Sequence, residues 1–186
     1  MKPKTTEETI QSTPLKTELS LLFLLSFTSF SLLALASYNP LDPSWNHQTL
    51  QPILIHNLTG YVGAWWSDCL LTLFGWSSYG LMTYMLGFNL YAIALLLQKK
   101  KLLSIRILLR QINGLILSLI ATCALSSIFL PAQANLPFGP GGLLGHQLGW
   151  YSLTWFEGTG SCFIWLPVLL TGISITSGYS VLSGAN

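Results

Sequence analysis

Four stretches contain no Asp, Glu, Lys or Arg: Leu19–Ser37, Trp76–Leu97, Ile112–Leu130 and Phe163–Leu182. Each is long and apolar enough to cross the hydrocarbon core of a bilayer, which takes about 20 residues. Lipid offers no hydrogen bonds to the backbone, so such runs must form helices or a closed barrel. Barrel strands alternate in polarity, and these runs do not. The expected fold class is therefore an all-α integral membrane protein with four transmembrane helices. Composition agrees: 51% of the 186 residues are hydrophobic and 8% are charged. A soluble domain usually carries about 25% charge. A net charge of +2 is too small to suggest nucleic-acid binding by this segment.

The basic residues set the expected topology. Lys2, Lys4 and Lys16 precede the first run. Lys99, Lys100, Lys101, Arg106 and Arg110 lie between the second and third. The segments 38–75 and 131–162 have no Lys or Arg. The positive-inside rule then makes the tail 1–18 and the loop 98–111 cytoplasmic and the two uncharged-to-acidic loops external. Four spans return residues 183–186, the chain end or the start of a linker, to the cytoplasm. Tryptophan is one-sided too. Trp45, Trp65, Trp66, Trp76, Trp150, Trp155 and Trp165 all fall in the outer loops or at the outer ends of spans. Ala34-Leu35-Ala36 resembles a signal-peptidase site, but the apolar run is longer than a 7–15-residue signal core, so an uncleaved span is expected.

Both outer loops carry helical patterns. Segment 60–75, "GYVGAWWSDCLLTLFG", places Trp65, Asp68 and Thr72 on one helical side and Leu70, Leu71 and Phe74 on another. That pattern suits an interfacial or re-entrant helix. The alternative is one long tilted helix over 64–97 with Gly75 as its weak point. In segment 132–160 a Pro/Gly turn at Pro137–Gly142 precedes Gly141, Gly145 and Gly149. On a helix these glycines form a smooth stripe, fit for an oligomer contact or for packing within the chain. Pro167 is expected to kink the fourth span. Glu157 is the only charge after Arg110.

Little here points to catalysis. There is no phosphate loop, no H-E-x-x-H and no G-x-S-x-G. His47, His56 and His146 are scattered, and nothing in the sequence pairs Asp42 with Asp68 or Glu157. Asp42 and Ser44 are suited to capping local turns. Cys69, Cys123 and Cys162 have no C-x-x-C spacing and read as apolar filler. The Asn57-Leu58-Thr59 sequon is too short a pattern to weigh. Gly80, Tyr84, Gly87 and Tyr91 mark one face of the second span, with Asn89 nearby. Ser118, Thr122 and Ser126 mark a stripe on the third. Such residues commonly join helices. As a polar path they would support the alternative reading, a small channel or transporter subunit.

Three segments carry a family resemblance: "YNPLDPSWN" at 38–46, "HNLTGYVGAWWSDCLLTLFG" at 56–75 and "LPFGPGGLLG" at 136–145. In this order, within four spans, they resemble the N-terminal membrane domain of FtsK-type DNA translocases from about residue 19 to 182. The matching motif positions are Asn39, Pro40, Asp42, Pro43, Ser44 and Trp45, then Asn57, Gly60, Gly63, Ala64, Trp65 and Asp68, then Gly141, Gly142 and Gly145. The resemblance implies an inner-membrane anchor at the division septum. It also implies contacts with other division proteins and self-association into a homo-oligomer, linking division to chromosome segregation. ATP and DNA belong to a motor domain that follows in that family, so neither a cofactor nor DNA binding is expected of any residue here. The chain ends at Asn186, before any linker or motor. A domain of a longer protein, a truncated product and a stand-alone anchor are all consistent with that.

Overall fold

The computed structural model describes residues 15–46, 54–98, 104–132 and 136–178. Lys2, Lys4, His47 and Lys99–Lys101 lie outside them, as do the two ends. Among the described residues the chain is all helix, with five elements: α1 (Leu15–Ala36), α2 (Gly60–Phe74), α3 (Ser77–Leu97), α4 (Ile105–Phe129) and α5 (Gly142–Ser177). Four of them, α1, α3, α4 and α5, are long and apolar enough to cross a membrane.

The helix ends follow local chemistry. Gly60 and Gly75 bracket α2, both at positive φ (72° and 57°), a region open to glycine at little cost. This break separates α2 from α3, so 64–97 is not one continuous helix. Leu130 stands in extended geometry after α4, as expected of a residue before Pro131. Gly178 adopts the left-handed conformation and caps α5, its N–H donating to the Ser174 carbonyl, a common C-terminal stop. The fourth span therefore ends before the expected boundary at 182. The third starts earlier than expected, because α4 takes Arg106 and Arg110 into its first turns.

α5 is two arms, not one rod. Glu157 has φ 55° and ψ −172° inside it. The first arm, 142–156, runs parallel to α4: Gly145 abuts Cys123, and Gly149 abuts Ser127 and Ile128. The second arm, 158–177, runs antiparallel: Gly172 abuts Ser118, and Gly114 abuts Thr176. The chain thus reverses at Glu157, whereas Pro167 sits within the second arm and keeps helical backbone angles.

This geometry sinks the Pro/Gly turn into the protein. Gly141 lies against the Cys123 carbonyl, about 10 Å below the end of α4 at 1.5 Å per residue. There it meets the α2–α3 turn. A Cβ on Gly75 would strike the Pro140 carbonyl, and one on Gly142 would lie 2.5 Å from the Gly75 nitrogen. The Trp76 N–H donates to the Pro140 carbonyl at 2.9 Å. Non-helical backbone at such depth is tolerated only when protein surrounds it.

The molecule is therefore two packed halves, α1–α3 and α4–α5, joined at these turns and through α2. α4 lies along both arms of α5, while α3 touches α4 only sparsely. The buried core is Leu35, Leu70, Leu71, Met82 and Leu136. It sits at the end bearing the outer-loop segments, directly beneath the site described next.

A polar knot as the candidate interaction site

The first two motif segments are tied together by two neighbouring hydrogen-bonded clusters, each built on a buried carboxylate. Asp42 is 1% exposed. Its carboxylate accepts the backbone N–H groups of His56 at 2.9 Å and Asn57 at 2.8 Å. His56 Nδ1 lies 3.1 Å from the same carboxylate. Asp42 therefore staples the returning strand of the loop rather than capping its own turn. Asn39 does the local work: its Oδ1 accepts the Leu41 N–H at 3.0 Å, an Asx turn. Pro40 and Pro43 flank that turn.

Asn57 is the second hub. Its Nδ2 donates to the Ala34 carbonyl at the end of α1 at 2.9 Å. Its Oδ1 accepts the Thr59 hydroxyl at 2.6 Å, the Thr59 N–H at 3.0 Å and the Ser37 hydroxyl at 3.2 Å. An amide so enclosed is no glycosylation acceptor in this fold. Thr59 is held against Gly63, where a Cβ would overlap its hydroxyl. That contact explains glycine at 63, and Ala64 behind it is buried as well.

Asp68, on α2, is the third hub and is 2% exposed. It accepts the Tyr38 hydroxyl at 3.2 Å, Asn46 Nδ2 at 2.9 Å and the Asn46 N–H at 3.3 Å. Asn46 also donates to the Thr72 hydroxyl at 2.7 Å. Burial and the adjacent Asp68 carboxylate push the Tyr38 phenol well above its usual range. Asp42 and Asp68 thus anchor two neighbouring clusters and do not pair with each other, in keeping with the sequence reading. They form no acid–base pair, since each is separately saturated by donors. Buried carboxylates satisfied in this way specify one geometry.

The remaining motif positions divide by exposure. Ser44 is buried, while Trp45 is 68% exposed. Trp65 turns outward, stacking near Tyr61 at 6.0 Å between ring centroids. Gly141, Gly142 and Gly145 belong elsewhere: they seat the first arm of α5 on α4 and on Gly75. The glycine stripe is consumed in packing within the chain.

Sequence reasoning missed Tyr38, Asn46, His56 and Ser37 as network members. The helical side that carries both Asp68 and Thr72 was the usable signal, since both meet Asn46. Of the channel candidates, Gly80, Tyr84, Gly87, Tyr91, Ser118, Thr122 and Ser126 line one cleft between α3 and α4, whereas Asn89 stands apart from it. Asn89 Nδ2 points to the Leu21 carbonyl on α1 at 3.3 Å. Ser118 and Thr122 bond their own helix backbone. Among the described residues, no cluster of three or more metal-ligating side chains occurs.

Helical spans capped by a preorganised polar knot define a polytopic inner-membrane domain. The sequence matches the 4TM region of DNA translocase FtsK/SpoIIIE over residues 14–186, and the chain belongs to that family. It is 32% identical over 157 residues to DNA translocase FtsK of Shewanella oneidensis, covering 83% of this chain and 17% of the relative. It is 31% identical over 175 residues to DNA translocase FtsK 2 of Ralstonia nicotianae, covering 86% and 21%. DNA translocase FtsK of Pseudomonas syringae pv. tomato is 24% identical over 146 residues, covering 78% and 18%. The chain thus spans about a fifth of the length of these curated relatives. No solved structure matches. What is matched is the membrane region of the family and not its motor.

Proposed function

We propose that this chain is the septal anchor and protein-interaction domain of an FtsK-like translocase, with the polar knot facing outward. The observation that carries this reading is the pairing of two family motifs through the buried carboxylates Asp42 and Asp68, each bonded across the loop. Lipid anchoring alone needs apolar helices and no such device. The knot holds a rim of exposed side chains, among them Leu41, Trp45, Leu54, Leu58 and Tyr61, in one fixed geometry. A fixed apolar rim around polar groups suits recognition of other division proteins. The basic residues Arg106 and Arg110 lie at the far end of α4 from the knot, which supports a cytoplasmic loop and cytoplasmic termini. DNA and ATP would engage only a motor domain.

A fluorescent fusion of residues 1–186 tests this directly. The expected result is a band at midcell that Asp68→Ala disperses while membrane insertion persists. An even ring around the cell for the unaltered chain would refute septal targeting.

A further inference from the structure

A cleft of about 790 Å³ separates the two halves between α3 and α4. Its wall on α3 runs from Trp76 to Tyr91, about 22 Å at 1.5 Å per residue. The lining of the cleft is mostly apolar and it lies between membrane-spanning helices, which suits a hydrocarbon chain of the surrounding bilayer. Gly80 and Gly87 keep it open: a Cβ at either meets nothing within 4 Å.

The two ends of the cleft differ. At the knot end it is lined by Trp76 and Ser77. At the other it reaches Gln111, whose buried Oε1 has no hydrogen-bond partner among the described residues. Arg110 adjoins it and lies over the Gly178 cap, with Arg106 one turn before. Lys99, Lys100 and Lys101 precede them in sequence. Lys16 and Glu18 on α1 offset one another, so this end is net cationic.

We infer that the cleft binds an anionic phospholipid of the surrounding bilayer, with an acyl chain along Gly80 and Gly87 and a hydroxylated headgroup at Arg110 and Gln111. The phosphate faces the arginines, and a headgroup hydroxyl donates to the free Gln111 oxygen. Basic clefts between helices at the cytoplasmic side commonly hold such headgroups.

Native mass spectrometry of the delipidated chain, titrated with dioleoyl-phosphatidylglycerol or with its phosphatidylcholine counterpart, tests the inference. One retained phosphatidylglycerol per chain is expected, in preference to phosphatidylcholine. Gly87→Trp should lower retention about tenfold or more, as expected from displacing two or more methylenes. Arg110→Gln should reduce the headgroup preference about fivefold, the effect of one surface cation. Photocrosslinking the unaltered chain with an acyl-diazirine phosphatidylglycerol covers the case in which Gly87→Trp fails to fold. Adducts confined to 80–91 and 115–126 support the site, and adducts spread evenly over the spans overturn it. Equal retention of both lipids, or retention unchanged by a folded Gly87→Trp, also overturns it.

Discussion

Asp42 illustrates how one side chain sets the shape of a loop. Replacing it with alanine strands two backbone N–H groups, each costing about 1–3 kcal/mol when buried unpaired. Asp42→Ala in detergent should therefore melt well below the parent, and proteolysis should open near 54–57. Asp42→Asn keeps one acceptor oxygen and should fall between them. Equal melting of all three would show that the staple contributes nothing. Tyr38 adds a pH dependence with a definite sign. Its phenol is raised in the folded state, so its contribution is full below the ordinary tyrosine value of about 10. That contribution is lost as pH climbs through the higher folded value. The tyrosinate absorbance of Tyr38, isolated by comparison with Tyr38→Phe, should appear only well above pH about 10. The motif letters exposed these residues as noteworthy, but not whom they touch. A carboxylate bonded to amides 14 and 15 positions away leaves no periodic trace.

At the scale of helices, the glycine contacts separate packing from open space. Gly145 presses on the Cys123 carbonyl, whereas Gly80 faces nothing. Gly145→Leu should cost about 1–3 kcal/mol by overpacking and peel the first arm of α5 from α4. Gly80→Ala should be neutral or slightly stabilising, since alanine is the better helix former by about 1 kcal/mol. A thermal melt of both variants checks the contrast. Glu157 is the reverse case, a non-glycine residue at φ 55° with extended ψ. Such a backbone costs about 1–3 kcal/mol outside glycine, so Glu157→Gly should raise the melting temperature. The apolar runs announced the spans plainly because hydrophobicity sums over some twenty residues. The reversal at Glu157 was hidden, since it depends on one residue's dihedral and on the fit of both arms against α4. Pro167 looked like the disruptive position, yet the backbone break lies at Glu157.

For the whole molecule, sidedness is the testable property. With Cys69 and Cys162 changed to Ser, a cysteine replacing exposed Trp45 should react with an impermeant maleimide applied from the periplasm. One replacing exposed Ser104 should react only after the inner membrane is opened. The opposite pattern would invert the topology. The halves also differ in what they need from each other. Every hub and partner of the polar knot lies between Ala34 and Thr72. The first arm of α5, by contrast, has its seat on α4 and on the Gly75 turn. Synthesis from the N-terminus therefore supplies the two halves in a useful order. Every partner of the knot is present before α4 and α5 are made, and the Gly75 turn then offers a surface on which the second half can come to rest.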